Sequence, residues 1–391
     1  MFDSPAHPPV AQSVVTADPG ASYRAHREEI DAAVRCVLER GNYILGQEVS
    51  AFESEFAAFL QVGEAVGVGS GTDALHLALR AVGVGPGDAV LTVAHTAVAT
   101  VAAIDQAGAV PVLVEVDPAT FTIDPGALEH AIRRHQASLR FKAVVPVHLY
   151  GRPAHMPEVV RIAERHGLFV IEDCAQAHGA TIAGRAVGGW GHLSAFSFYP
   201  TKNLGACGDG GAVAGNHPRL LERVRSLRQY GWRQRFQSER PGFNSRLDEL
   251  QAAILRVKLK HLDRENERRR SLAGRYDQLL KGTAWHTPII APPMQSVYHQ
   301  YVIRGQERDG LRRFLSERGV DSGVHYPVPI HLQPGYRQKV IVAGSLQRTE
   351  ALCREILSLP MHPYLTDDQI AHVARAIVEF DCQRNQQQGA A

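Results

Sequence analysis

A lysine inside a glycine-rich turn is the first residue in this sequence that could do covalent chemistry. Lys202 follows the apolar run Leu193–Phe198 within the stretch SAFSFYPTKNLGACGDGG. A lysine amine that is partly buried loses basicity, and the neutral amine is a nucleophile that can form a Schiff base with an aldehyde. An exposed loop lysine is the ordinary alternative, but the apolar run before Lys202 and the glycines after it favour a buried one.

A carboxylate stands at a comparable position 29 residues earlier. Asp173 closes the apolar run Leu168–Glu172, and open α/β sheets bind their ligands at the carboxyl ends of such strands. A buried carboxylate needs a partner. A protonated ring nitrogen would serve, and a structural ion pair or a helix cap is the alternative. Cys174 and His178 follow closely, but their spacing is not that of a zinc site, so we expect no metal.

A glycine-rich segment, VGVGSGTDALHLAL, opens a predicted helix and supplies a third candidate site. Backbone N–H groups at Gly71 and Thr72, with the positive end of the helix, could bind a phosphate. A tight turn capped by Thr72 or Asp73 explains the pattern equally well. A dinucleotide site would need an acidic residue at the end of the next strand, which here reads LTVAH.

Taken together, the three candidates match the needs of one cofactor. Pyridoxal 5'-phosphate requires an amine that forms the imine, a carboxylate that keeps the pyridine nitrogen protonated, and a phosphate cradle. Lys202, Asp173 and the turn at Gly71 could supply these three groups.

The elements that must position these residues alternate along the chain. Short apolar runs and helix-length stretches follow one another from Ala65 to Gly215, which predicts a mostly parallel sheet in three layers. A long helical segment with a basic, solvated centre, from Asp248 to Gly282, precedes a mixed C-terminal part. We therefore expect a flexible arm over residues 1–22, a large cofactor-binding α/β domain over 23–250, and a connecting helix with a smaller α+β domain over 251–391.

Composition excludes several classes of protein. The 391 residues include 42 Lys and Arg against 40 Asp and Glu, so no charge excess points to nucleic acid or to an anionic membrane. The longest apolar stretch is too short and too polar to span a bilayer, and the N-terminus does not resemble a secretory signal. Five scattered cysteines without a CxxC motif favour reduced thiols and a cytoplasmic location.

The chain resembles the nucleotide-sugar aminotransferases of the DegT/DnrJ/EryC1/StrS family, which have the fold-type I, aspartate aminotransferase-like architecture. The resemblance extends from Tyr43 to about Phe380 and is specific as a set of motifs. The matching stretches are NYILGQEVSAFESEFA, GSGTDALHLAL, GAVPVLVEVD, VVPVHLYGRPAHM, EDCAQAHGA, SFYPTKNLGACGDGGAV, NSRLDELQAAIL and HYPVPIHLQPGY.

The resemblance implies roles for the cofactor site. Lys202 would form the Schiff base and later carry the proton, while Asp173 would hold the pyridinium nitrogen. Gln176 would contact the cofactor ring or its phenolic oxygen. The implied phosphate ligands are Gly71, Thr72, Ser197 and, from the neighbouring subunit of an obligatory homodimer, Asn244.

Asn244 also has a local interpretation, because Ser245 and Asp248 could form a capping box at a helix start.

One departure from the family pattern concerns the residue that stacks on the cofactor ring. Family members commonly carry an aromatic residue where this chain has Ala97, so we expect His95 to stack instead, with a histidine satisfied at a strand end as the alternative.

Substrate contacts and activity follow from the same resemblance. The implied activity moves an amino group from an amino acid, L-glutamate, to a nucleotide-linked keto-deoxyhexose, and the stretch YHQYVIR favours a dTDP-3-keto-6-deoxyhexose. The residues in stretches that resemble sugar-facing loops are Tyr43, His325, Tyr326, His331 and Gln333. For the loop at His325, a rigid proline-set packing of two domains is equally consistent.

Several alternatives remain at this point. A 4-keto sugar or a cyclitol ketone of the scyllo-inosose type would require the same chemistry. A non-catalytic protein that binds pyridoxal phosphate is disfavoured by Lys202 and Asp173. Lys202 also argues against a related dehydratase class, which has histidine in place of the lysine. A dinucleotide-dependent oxidoreductase is disfavoured by the missing acidic residue.

Overall fold

The computed structural model describes residues 13–389, and its elements follow the alternation expected from the sequence. The helices are α1 (Pro19–Ala25), α2 (Arg27–Arg40), α3 (Gln47–Leu60), α4 (Gly71–Ala81), α5 (Val98–Gln106), α6 (Pro125–His135), α7 (Met156–Arg165), α8 (Pro218–Leu227), α9 (Glu249–Leu259), α10 (Leu262–Leu279), α11 (Arg308–Ser316), α12 (Gln347–Glu355) and α13 (Asp367–Gly389). The strands are β1 (Glu64–Val68), β2 (Asp88–Val93), β3 (Val110–Val114), β4 (Arg140–Val144), β5 (Phe169–Asp173), β6 (Thr181–Ile182), β7 (Arg185–Ala186), β8 (Leu193–Ser197), β9 (Gly211–Gly215), β10 (Trp232–Gln234), β11 (Gln237–Ser238), β12 (Met294–Gln295), β13 (Tyr301–Arg304), β14 (Ile341–Val342) and β15 (Ile356–Leu359).

One large sheet organises the fold. Its eight strands lie in the order β1-β9-β8-β5-β4-β2-β3-β14. Strand β9 is antiparallel to both of its neighbours, and every other neighbouring pair in this sheet is parallel. The mostly parallel sheet predicted from the apolar runs is therefore confirmed.

Helices cover both faces of this sheet, as the apolar strands require. In β2, Val90 packs into a core with residues of α4 and α8, whereas Leu91 packs into a different core with residues of α6 and α7. Successive side chains of a strand point to opposite faces, so a strand buried on both sides must be apolar throughout. The expected three-layer architecture is confirmed.

An aromatic cluster supports the segment that carries Lys202. Phe52 and Phe56 of α3 are fully buried, and their rings meet Phe196 and Phe198 edge-on, with the centroids of Phe56 and Phe196 5.0 Å apart. Edge-to-face contacts of this kind add stability beyond the apolar area they bury. The turn after β8 thus begins from a rigid base.

The C-terminal part packs around the two-stranded antiparallel sheet of β13 and β15, which shares a core with α10, α11 and α13. The predicted long helix is two helices, because the helical hydrogen bonding stops between Leu259 and Leu262. Its basic centre is not wholly solvated: Arg269 is 6 % exposed and donates hydrogen bonds to the carbonyls of Tyr298 and Met361.

The two parts of the chain are interleaved. Strand β14, from the C-terminal part, pairs with β3 at the edge of the large sheet, and β12 pairs with β6.

In the segment that we expected to be a flexible arm, Val14 is buried and forms a bridge with Val320, while Asp18 caps α1. Residues 1–12 of that segment lie outside the described residues. Within residues 13–389, no helix has the length and apolar character needed to cross a membrane.

A buried carboxylate joins α3 to α9, and its removal is expected to destabilise the protein. Glu249 is fully buried and accepts the N–H groups of Gly46, Glu48 and Val49 at distances of 2.8–3.0 Å. Glu249→Ala leaves three donors at the start of α3 without an acceptor, so we expect the free energy of unfolding to fall by roughly 3 kcal/mol. Chemical denaturation followed by circular dichroism measures this change.

A glutamate of the neighbouring helix face provides the control. Glu55 is half-exposed and forms an ion pair with Arg256. An ion pair at the surface contributes less than about 1 kcal/mol to the free energy of unfolding. Equal losses for Glu55→Ala and Glu249→Ala would contradict the special role assigned to Glu249.

Candidate active site

A cavity of about 330 Å³ opens beyond the carboxyl ends of β1, β2, β5 and β8. This is the edge of a parallel sheet at which α/β proteins bind ligands. Most of the site residues predicted from the sequence border this single cavity. They are Gly71, Thr72, Asp173, Gln176, Ser197, Lys202, His325 and Tyr326.

Asp173 is the last residue of β5 and is 5 % exposed. Thr100 Oγ1 donates to Asp173 Oδ2 at 2.8 Å, and the Ala175 N–H donates to Oδ1 at 3.2 Å. Burial raises the pKa of Asp173, whereas these two hydrogen bonds and the positive charge of Lys202 act in the opposite direction. A cation placed beside the carboxylate would further favour its ionised form.

Lys202 lies in the turn after β8, and its backbone N–H donates to the carbonyl of Tyr199 at 2.8 Å. Burial lowers the pKa of Lys202 from 10.5 to about 8, although the negative charge of Asp173 opposes this shift. Burial disfavours the charged form of an amine because water no longer solvates it. A substantial neutral fraction near physiological pH makes Lys202 a nucleophile.

The start of α4 forms the cradle predicted for a phosphate. Ser70, and not Thr72 or Asp73, caps the helix: its Oγ accepts the Asp73 N–H at 3.1 Å. A Cβ atom added to Gly71 would lie 2.5 Å from Ser197 Cβ, so only glycine allows the helix start to approach β8 this closely. The first N–H groups of α4 and the Ser197 hydroxyl therefore border one anion-sized space.

Ser245 supports this cradle from the loop before α9. Its Oγ donates to Asp73 Oδ2 at 2.7 Å and accepts the Gly69 N–H at 3.0 Å. The expected capping box of Ser245 with Asp248 is therefore absent, and α9 begins at Glu249 without a side-chain cap bond. The hydroxyl is used to hold the phosphate loop instead.

Gln176 connects the cofactor side of the cavity with the predicted substrate loop. Its Oε1 accepts the Tyr150 N–H at 2.7 Å, and its Nε2 donates to the hydroxyl of Tyr326 at 3.3 Å. The Tyr150 hydroxyl in turn donates to the carbonyl of His325. The loop at His325 is thus tied to Gln176 through two tyrosines.

His95, which we expected to stack on the cofactor ring, does not border the cavity of this chain. His95 is 1 % exposed, and its Nε2 lies 2.7 Å from the Tyr150 hydroxyl while its Nδ1 lies 3.4 Å from Cys353 Sγ. These two contacts satisfy both ring nitrogens, which agrees with the alternative of a satisfied histidine near a strand end. Thr96 and Ala97 border the cavity at this point.

Four other predicted residues do not border the cavity of this chain. Tyr43 is 46 % exposed and Asn244 is also exposed, both on the outside of the protomer. His331 pairs with Glu350 at 3.0 Å, and Gln333 donates to the carbonyl of Val328. The first two remain candidates for a site on another subunit.

Sequence reasoning missed several residues that the structure brings to the site. Thr100 fixes Asp173 from the first turn of α5, Tyr150 fixes Gln176, and His299 borders the cavity beside Lys202. No local pattern marks Thr100 or Tyr150 as functional, because their partners lie 73 and 26 residues away. His299 belongs to the YHQYVIR stretch, which indicated the type of substrate but did not mark His299 as a residue of the site.

Two clusters in the described residues combine ligand types that metals use, and one lies beneath the site. It contains His148, Glu172 and Cys174, all buried. His148 Nδ1 accepts the Ala154 N–H, its Nε2 faces Glu172, and the Glu172 carboxylate accepts three backbone N–H groups from the loop before β8. The ring nitrogens of His148 and the carboxylate oxygens of Glu172 are thus already hydrogen-bonded within the protein. The other cluster, His26, Glu29 and His261, lies away from the cavity.

The residues around the cavity fit pyridoxal 5'-phosphate. The cavity brings together a lysine of lowered basicity, a buried carboxylate and a helix start that only glycine permits. An aldehyde, a protonated ring nitrogen and a phosphate are the matching groups of this cofactor.

Comparison with known proteins agrees with this geometry. The DegT/DnrJ/EryC1/StrS aminotransferase family matches residues 24–378 of the chain. A relative from Streptomyces venezuelae named dTDP-3-amino-3,4,6-trideoxy-alpha-D-glucose transaminase is 48 % identical over 361 residues, which are 92 % of this chain and 94 % of the relative.

Solved structures extend the similarity to three dimensions. The S. venezuelae aminotransferase DesV is 47 % identical and superposes with a TM-score of 0.91, covering 95 % of this chain and 99 % of its own. A Bacillus subtilis protein, NtdA, is 31 % identical with a TM-score of 0.85, covers 91 % of this chain and 82 % of its own, and was solved with bound cofactor PMP.

The lowered pKa of Lys202 predicts how its reactivity depends on pH. Only the neutral amine captures an aldehyde, so below about pH 8 the rate should rise about tenfold per pH unit, and it should level off above the pKa. Mixing cofactor-freed protein with pyridoxal phosphate at a series of pH values, and following visible absorption, measures this rate. A lysine model peptide, which should level off only near pH 10.5, is the control; the same high plateau pH for the protein would contradict the prediction.

Proposed function

Since this chain belongs to the DegT/DnrJ/EryC1/StrS aminotransferase family, we propose that it transfers an amino group from L-glutamate to carbon 3 of a dTDP-linked 3-keto-6-deoxyhexose. The chain is a pyridoxal phosphate-dependent transaminase. The observation that carries the proposal is the convergence of Lys202, Asp173 and the α4 cradle on one cavity, in a chain 48 % identical to a transaminase named for an amine at carbon 3.

Bound at this site, pyridoxal phosphate supplies an electron sink that allows an amine and a proton to be moved between two substrates. Lys202 would be the residue that holds this cofactor, and its Nζ would carry the proton that is moved. The hydrogen bonds that Asp173 accepts from Thr100 and Ala175 favour its ionised form, which is the form that would face a protonated ring nitrogen. Both residues are desolvated by burial, which strengthens the interaction between their charges.

The remaining cofactor contacts orient the ring. Gly71 and Thr72 offer backbone N–H groups and Ser197 its hydroxyl to the phosphate. Gln176 lies on the path between Asp173 and the substrate loop, and we assign it the contact to the ring or to its phenolic oxygen. These residues and Asp173 would together fix the position of the cofactor relative to Lys202.

Substrate recognition is assigned first to the loop at residues 323–329. His325 and Tyr326 border the cavity, and the Tyr326 hydroxyl accepts from Gln176, so a sugar bound there would contact a loop linked to the cofactor site. A 4-keto sugar and a cyclitol ketone are the competing acceptors. A non-catalytic role is disfavoured by the intact Lys202 and Asp173.

We further propose a homodimer with shared active sites. Asn244 and Tyr43 are exposed, and apolar side chains beside them are exposed as well: Ile44, which follows Tyr43, is 45 % exposed, and Tyr230, which follows the bridge partner of Asn244, is 41 % exposed. Exposed aromatic groups of this kind mark surfaces that bind proteins. In the dimer, Asn244 would reach the cofactor phosphate of the partner, and Tyr43 would reach its substrate.

A cytoplasmic location completes the proposal. All five cysteines, which lie within residues 13–389, are free, and two of them are buried. A chain with unpaired thiols suits a reducing compartment.

The choice of acceptor is tested by a half-reaction panel. The pyridoxamine phosphate form of the enzyme is mixed separately with dTDP-3-keto-6-deoxyhexose, the 4-keto isomer and scyllo-inosose, and the return of the pyridoxal absorption near ~410–430 nm is followed. We expect the 3-keto sugar to react fastest. Faster reaction of the 4-keto sugar or the inosose would overturn the assigned acceptor but not the transaminase activity.

The shared active site is tested by mixing two inactive variants. Lys202→Ala removes the nucleophile, and Asn244→Ala weakens phosphate binding in the partner's site. Mixed dimers contain one site with both native residues, so mixing after dissociation should restore up to about one quarter of native activity, as random pairing of two subunit types implies. Activity that never exceeds the sum of the separate variants would show that Asn244 does not act across the interface.

A further inference from the structure

His299 is a buried histidine beside the reactive lysine. It is 8 % exposed and borders the same cavity as Lys202. Its Nδ1 lies 3.2 Å from Asn203 Oδ1, in the residue that follows the lysine. Its other ring nitrogen, Nε2, has no hydrogen-bond partner among the residues that the structure describes.

Two asparagines determine which nitrogen of this ring carries the proton. Asn266 Nδ2 donates to the carbonyl of His178 at 2.9 Å, so Asn266 Oδ1 is free to accept from Asn203 Nδ2 at 2.8 Å. Asn203 Nδ2 also donates to the carbonyl of Val297 at 3.0 Å. Carbonyls only accept, so both amide orientations are fixed and Asn203 Oδ1 must be an acceptor. The Nδ1 of His299 therefore donates, and its Nε2 keeps a free lone pair.

The ring is neutral under ordinary conditions. Burial holds the pKa of His299 well below its usual value, and the positive charges of Lys202 and Arg269 act in the same direction. A neutral imidazole with a fixed Nδ1–H offers its Nε2 only as a hydrogen-bond acceptor.

The lysine amine has the complementary need. Within the described chain, Lys202 Nζ has no hydrogen-bond acceptor from the protein, and the nearby carboxylate of Asp173 already accepts from Thr100 and Ala175. A buried N–H without an acceptor costs free energy. Whenever the amine is released from the cofactor, it must therefore find an acceptor in the cavity.

We propose that His299 is a positioning residue for Lys202: the Nε2 of His299 accepts an N–H from the released lysine amine and so aims the single lone pair of that amine at the carbon that gives up its proton. The assignment depends on amino transfer through Lys202 and does not depend on which sugar accepts the amine. His299 touches neither substrate in this role and acts through the lysine.

The donor half-reaction tests this role with a pair of variants. His299→Leu removes the acceptor, and we expect deprotonation of the amino-acid donor to slow roughly 100-fold, since misplaced reacting groups lose about this much. The isotope effect of a donor deuterated at the α-carbon should rise, because proton transfer becomes rate-limiting. In His299→Gln, Oε1 can accept in place of Nε2, so most of the rate should return. Cofactor absorption and affinity should change in neither variant.

A second buried histidine provides the matched control. His76 on α4 is also buried and also lacks a partner at Nε2, but it packs on Phe243 away from the cavity. His76→Leu should leave the isotope effect at the native value. Equal slowing of His299→Leu and His299→Gln with a native isotope effect, or no slowing in either, would overturn the proposal.

The tautomer is tested without turnover. In holoenzyme labelled with ¹⁵N-histidine, the His299 resonances should show a protonated Nδ1 and an unprotonated Nε2, and a protonated Nε2 would overturn the proposal.

The kinetic assay of the His299 variants uses an amino acid that the native enzyme accepts as a donor. Failure of L-glutamate as a donor would therefore count against the proposed function and not against His299.

Discussion

The desolvation of one amine is the constraint on which the rest of this structure depends. Water stabilises an ammonium ion strongly, so a lysine becomes a nucleophile near neutral pH only where the fold excludes water around it. Lys202 meets that condition, although the carboxylate of Asp173 in the same cavity favours the charged form of the lysine amine. The balance between burial and Asp173 gives the amine a pKa of about 8, close to the range in which it must both give and take a proton.

Rigid packing maintains this balance. The edge-to-face rings of Phe56 and Phe196 hold the strand before Lys202, while β5 ends at Asp173 next to it in the same sheet. The register places Asp173 opposite Ala195, so the carboxylate and the turn after β8 emerge at the same edge. Hydrogen bonds from Thr100 and Ala175 then prevent the carboxylate from turning toward another partner.

Much of this arrangement could be predicted from the sequence, because the signals were local. Apolar runs buried on both faces identified the parallel strands, and the glycine-rich turns identified both the phosphate cradle and the segment of Lys202. Long-range contacts could not be predicted in this way. His95 lies just beyond the end of β2, as its position in the sequence indicates, but its ring contacts Cys353, 258 residues away. Strand β14 is two residues long, too short for any periodicity to show. The orientation of His299 depends on amides from two separate segments.

The strand order has a consequence for the growing chain. Among the described residues, strand β1 lies at the edge of the large sheet and pairs with β9, which is made much later. The start of α4 follows β1 closely in the chain. The strand that leads into the phosphate cradle therefore cannot pair with β9 until residues 211–215 have been synthesised. The opposite edge closes later still, with residues 341–342. Contacts so distant in sequence must wait for most of the polypeptide, and folding around them is correspondingly slow. A ribosome-bound fragment that ends before β9 would carry the glycine-rich turn but not the geometry that captures the cofactor.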